Sequence, residues 1–105
     1  MQHGARSVSR TYRMGKTVTI SLAVDEQCRV AEARVTGDFF VYPPEALEAF
    51  ERRLRGCSSA ECIEEAQRVL EEAETLGFSP AEVVEKVLSL YRELCSPGSG
   101  REARL

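Results

Sequence analysis

The chain is poor in the residues that most enzymes use. It has one histidine, His3, and no run of apolar residues approaches the ~20 needed to span a bilayer. The start, Met1 to Arg6, lacks the apolar core of a secretion signal, so a cytoplasmic protein is expected. The four cysteines, Cys28, Cys57, Cys62 and Cys95, contain no Cys-x-x-Cys pair and form no cluster with histidine. That spacing argues against a structural zinc site, and no metal is expected. Buried or half-buried thiols are the ordinary fate of such residues. Ser-His and Cys-His constellations are missing, as are glycine loops of the P-loop or dinucleotide type and internal repeats. No catalytic residue is therefore assigned.

What is present describes one domain of 105 residues with a single core. The 14 basic and 17 acidic side chains give a net charge of -3, which supplies no reason to expect nucleic acid or an anionic membrane as partner. Charge is nonetheless uneven: residues 1 to 36 hold six basic and three acidic side chains, and residues 44 to 76 hold four and nine. Such polarity can orient a partner, although a solvated helix face accounts equally well for its acidic part.

The first third has the period of strands. Val18, Ile20, Leu22 and Val24 alternate with Thr17, Thr19, Ser21 and Ala23, which predicts one buried and one wetter face. A weaker strand over about Val8 to Arg13 precedes it across a tight turn at Met14-Gly15-Lys16. A third runs from Cys28 to Thr36, where the apolar register shifts after Val30 and predicts a bulge. From Pro43 the period becomes helical. Leu47, Phe50 and Leu54 share a stripe that ends at Gly56, giving a helix over about Pro44 to Arg55. Ser58 and Glu61 have capping-box spacing before a second apolar stripe that continues to Leu76 and Gly77. Ser79, Pro80 and Glu82 start a third helix that carries Val83, Val84, Val87, Leu88, Tyr91 and Leu94 to about Cys95.

Strands followed by helices with one apolar stripe each predict an α+β fold, an antiparallel sheet of three to four strands covered on one face by three helices. The other sheet face would present Thr17, Thr19, Ser21, Glu32, Arg34 and Thr36. Residues 1–7 are expected as a flexible start, 8–95 as the domain and 96–105 as a flexible tail. Cys57 and Cys62 flank a helix start and should approach each other as a hydrophobic staple does. In a reducing cytosol they are expected as thiols.

Between turn and helix stands Gly37-Asp38-Phe39-Phe40-Val41-Tyr42-Pro43-Pro44, which concentrates four large apolar side chains. In an extended strand Phe39 and Val41 face one side, and Phe40 and Tyr42 the other. Both faces then need cover, from this domain's own chain or from a partner. One of Phe39 and Phe40 is expected in the core and the other at a shared surface. Lys16, beside Gly15 in the hairpin, offers a flexible cation for a phosphate or carboxylate, although a hairpin lysine is more often simply solvated. Asp38 after Gly37 is common turn chemistry.

The run from Cys28 through Thr36-Gly37-Asp38-Phe39-Phe40-Val41-Tyr42-Pro43, followed by Glu45, Leu47 and Leu54-Arg55-Gly56, resembles the accessory domain of lipoate-protein ligases. It looks in particular like the form made as a separate small protein beside the catalytic subunit. The resemblance covers roughly residues 8 to 95, and Gly15-Lys16 before an apolar strand also fits. It implies an accessory subunit that is inactive alone and is required for activating lipoate to lipoyl-adenylate before transfer to an acceptor lysine. ATP and lipoate would be handled by the catalytic subunit, lipoyl acceptor domains would be indirect partners, and this chain would bind no cofactor alone. Gly37, Asp38, Phe39, Phe40 and Pro43 are the motif positions implied for shape or partner contact, with Lys16 as a position near phosphate. A rival reading is an iron-sulfur scaffold or sulfur carrier, whose similar chains place a cysteine where this chain has Asp38. Cys28, Cys57 and Cys62 would then have to form a new site. A small protein-binding module of another kind is the third reading.

Overall fold

A computed structural model describes residues 6–95. Three strands, β1 (Arg6–Met14), β2 (Lys16–Val24) and β3 (Val30–Gly37), form an antiparallel sheet in the order β1-β2-β3. The first hairpin is as tight as chain geometry permits, with Met14 opposite Lys16 and Gly15 at φ +101° between them. The strand starts at Arg6, so residues 6 and 7, expected in a flexible start, belong to the sheet. The remaining residues assigned to flexible ends, 1–5 and 96–105, lie outside the described region.

Val18, Ile20, Leu22 and Val24 are all buried, so the period-2 pattern of β2 is a true core face. The expected bulge is present: the register passes from Ala23 opposite Glu32 to Val24 opposite Val30, which leaves Ala31 as the extra residue. On the opposite face hydroxyl side chains pair across the strands, Ser9 with Ser21 and Thr11 with Thr19, each at 2.8 Å. The far edge of β3 is closed by the chain itself. Glu51 Oε2 accepts from the Val35 N–H at 2.9 Å, and Val30 exchanges backbone bonds with Gly56 and Cys57 at 2.8 Å.

After β3 the chain forms a short strand β4 (Phe40–Tyr42) and helix α1 (Glu45–Leu54). The stretch read as one second helix divides into α2 (Ala60–Glu65), α3 (Gln67–Glu71) and a strand β5 (Glu74–Leu76). At the junction the Ala66 and Val69 N–H groups donate i→i−3 to the Ile63 and Ala66 carbonyls, which tightens the turn. The stripe's last turn does not continue the helix, and α3 already ends on Glu71 with Glu72 as its cap, anions where the dipole disfavours them. Pairing β5 with β4 satisfies that backbone instead, and makes a separate two-stranded ribbon. The described residues thus hold four helices where three were expected, within the expected α+β class.

Ser59, not Ser58, caps α2: its hydroxyl accepts from the Cys62 N–H at 3.2 Å. The two-residue turn before that cap brings Cys57 and Cys62 to a Cα separation of 5.5 Å, and they are disulfide-bonded. This corrects the expectation of reduced thiols, while the predicted approach of the two residues holds. Helix α4 (Pro80–Cys95) follows Ser79, whose hydroxyl accepts from the Glu82 N–H at 3.2 Å as its spacing predicts. It lies along β1 and β2 and buries Val83, Val87 and Leu90 completely. Arg10 of β1 reaches Glu93 of α4 through two parallel bonds of 2.8 and 2.9 Å, and Lys86 sits 5.2 Å from the Tyr12 ring centre. Phe50, Leu54, Ile63 and Leu70 complete the core beneath the sheet.

Candidate functional site

Three glycine turns meet at one end of the sheet. Gly37 ends β3 at φ +144°, a conformation that suits glycine, and a Cβ there would collide with the Thr17 carbonyl oxygen. The Asp38 N–H continues the ladder onto that same oxygen at 3.0 Å. Gly77, after β5, has φ +104°, and its carbonyl accepts from the Lys16 N–H at 3.1 Å. A Cβ on Gly77 would lie 2.8 Å from Lys16 Cγ and 3.0 Å from Phe39 Cβ. Gly77 therefore lies against both Lys16 and Phe39, which brings the hairpin lysine and the aromatic motif to the same glycine. The Lys16 stem lies over a glycine while the residue stays exposed, as a long amphipathic side chain does at a wet surface.

Phe39 and Phe40 have different fates. Phe39 is half-buried against the core and meets Phe78 edge-to-face, with ring centres 4.9 Å apart. Val41, on the same side of the strand, is buried, whereas Phe40 is 57% exposed and Tyr42 59% exposed. Register decides what stands beside them. Phe40 opposes Leu76 and Tyr42 opposes Glu74 across the β4–β5 pair, so the outer face of the ribbon is Phe40, Tyr42, Leu76 and Glu74. Leu76 is 68% exposed, and these three are the large apolar residues left exposed among the described residues. A contiguous apolar face with a carboxylate at its margin has the make-up of a protein-contact surface. Pro43 is exposed beyond β4, with its carbonyl taken by the Ala46 N–H at 2.9 Å at the entry to α1.

The structure thus brings Lys16, Gly37, Asp38, Phe39 and Phe40 to one end of the molecule, with Pro43 at the close of β4. Sequence reasoning missed Leu76, Glu74 and Gly77 as members. The period of the sequence puts Leu76 at the end of a helical stripe, and only its pairing with Phe40 puts it on the exposed face. The chemistry available here is apolar contact, one cation and the carboxylates of Asp38 and Glu74. Among the described residues no group of three or more histidine, cysteine, aspartate or glutamate side chains could hold a metal. A scaffold site on Cys28, Cys57 and Cys62 would need sulfurs that Cys57 and Cys62 commit to each other. An open groove of about 440 Å³ lies on the other sheet face, lined by Ser7, Ser9, Ser21, Glu32 and Arg34 among others. Within it Ser9 is paired with Ser21 and Arg34 with Glu32. Among the described residues no helix is long and apolar enough to cross a membrane.

No known family profile matches the chain, and no curated protein matches it significantly. Among solved structures it is similar to a chain from a structural study of an archaeal lipoylation system, a bi-partite lipoate protein ligase and its E2 lipoyl domain from Thermoplasma acidophilum. The two share 25% identity with a TM-score of 0.66, over 77% of this chain and 93% of that one. The fold is therefore one that a lipoylation system uses.

Proposed function

We propose that this chain is the accessory subunit of a two-part lipoate-protein ligase. It acts with a separate catalytic subunit that binds ATP and lipoate and forms lipoyl-adenylate. The observation that carries this reading is the structural likeness to a chain of a bi-partite ligase system. The likeness covers 77% of this chain and 93% of that one. The ribbon supports the same reading, because Phe40, Tyr42 and Leu76 make a surface for docking.

Docking can raise the rate of activation without a reacting group on this chain. A second body seated beside an active site orders its loops, excludes water and fixes near-attack geometry. Lys16, whose stem lies against Gly77, is a cation at the rim of the ribbon that a flexible reach could bring toward a phosphate.

The half-reactions separate this role from others. Pyrophosphate release from ATP and lipoate is expected to require both proteins, with none from this chain alone. Transfer from supplied lipoyl-adenylate to an acceptor domain is expected to change little when this chain is omitted. Activation at full rate by the catalytic subunit alone would remove the assignment and leave a binding module of another kind.

A further inference from the structure

The two cysteines outside the disulfide lie at the end of the sheet opposite the aromatic ribbon. β2 runs nine residues from Lys16 to Val24, so the turn that follows it lies roughly 27 Å from the Gly15 hairpin. That turn is pinned by Asp25, whose Oδ1 accepts from the N–H groups of Gln27 and Arg29 at 2.9 and 3.0 Å. Cys28 is held in it at φ +58°. Its carbonyl accepts from the Tyr91 hydroxyl at 3.0 Å, and its sulfur from Arg6 Nη2 at 3.7 Å. Tyr91 lies on α4 one turn before Cys95, on the same face of the helix. The Tyr91 bond and this spacing bring Cys95 to the Cys28 turn, and burial, with the neighbouring Cys28 thiol adding to it, pushes the Cys95 pKa up to about 12. Both residues are half-buried.

We propose that Cys28 and Cys95 form a second, reversible disulfide, which makes this end of the molecule a thiol-modification site whose oxidant is a small-molecule disulfide. With the Cys95 thiol held in its protonated form, Cys28 attacks first, its proton passing to solvent. Its sulfur bonds to one sulfur of the small disulfide, whose S–S bond breaks and whose other half leaves as a thiol by taking up a proton. The Cys95 sulfur, releasing its proton, then attacks Cys28 in the mixed disulfide and expels the second small thiol. Two protein thiols lose two electrons, and one small disulfide becomes two thiols. The product ties the turn before β3 to the last turn of α4. It closes a loop that contains most of the chain, the case in which a cross-link constrains the unfolded state most.

The test uses the full chain and oxidised glutathione, followed by alkylation without reductant and peptide mass mapping. A Cys28–Cys95 linked peptide is expected, with no stable glutathione adduct on either residue and a melting temperature raised by roughly 10 °C. In Cys28→Ser the same treatment is expected to leave a persistent glutathione adduct on Cys95, or an alkylated Cys95, with no rise in melting temperature. Two alkylated thiols after oxidation, or separate adducts on Cys28 and Cys95 in the parent chain, would overturn the proposal. The readouts need no ligase partner, so their failure leaves the functional proposal untouched.

Discussion

Phe39 and Phe40 are adjacent in sequence and belong to different surfaces, so truncating them should give different defects. Phe39→Ala removes a half-buried ring from Phe78 and should cost ~2–3 kcal/mol in chemical denaturation, less than a fully buried phenylalanine. Phe40→Ala should change stability by less than about 0.5 kcal/mol and weaken association with the catalytic subunit. Equal, large losses of stability would place both rings in the core and remove this argument for docking. Gly77→Ala should also destabilise, by ~1–3 kcal/mol, because a Cβ there meets Lys16 and Phe39 at a φ that side chains rarely adopt. The alternation of Phe39, Phe40, Val41 and Tyr42 was legible from period alone. The role of Gly77 was not, since nothing local distinguishes a glycine that stops a helix from one that touches a lysine sixty residues earlier.

Among the elements, the clear strand and the last helix followed directly from their patterns, because β2 is buried on one face and α4 on one stripe. The middle of the chain did not. Its apolar stripe runs on through Ala73 and Leu76, but the backbone from Glu74 to Leu76 pairs with β4 instead of continuing the helix. Tertiary pairing overrode local periodicity there. The cap of α2 was displaced by one residue, and this can be measured. Ser59→Ala should cost ~1 kcal/mol because it frees the Cys62 N–H, whereas Ser58→Ala should stay within about 0.5 kcal/mol. Thermal or chemical unfolding of the two variants decides between the caps, and the reverse order would restore the capping box that the sequence suggested.

For the whole molecule, the α+β class was legible in the switch from period 2 to period 3.6 near Pro43, whereas the convergence of three turns at one end is a property of the closed fold. Stability should fall at both ends of the pH scale, for different reasons. The Arg10 guanidinium holds the Glu93 carboxyl below its ordinary value of 4.5, and backbone and side-chain bonds from Arg29 and Gln27 hold Asp25 below 3.8. Their contribution is complete above those values and is lost as pH drops through the lower folded ones. Cys95 works in the other direction in the reduced protein. Its pKa rises from 9.0 to about 12 on folding, so stability is full below pH 9 and declines as pH rises toward 12. Unfolding midpoints recorded across pH should therefore pass through a plateau, and Glu93→Gln should flatten the acid limb without moving the alkaline one.

The most direct test of the account is the rate of pyrophosphate release by the catalytic subunit as this chain is titrated in. With the parent chain the rate should climb from near zero and saturate. With Phe40→Ala or Leu76→Ala the same plateau should be reached only at higher concentration, as expected for a docking surface that contributes affinity rather than chemistry. A rate that is independent of the chain, or a plateau reached equally early by parent and variants, would contradict the assignment of this ribbon as the contact through which an accessory subunit acts.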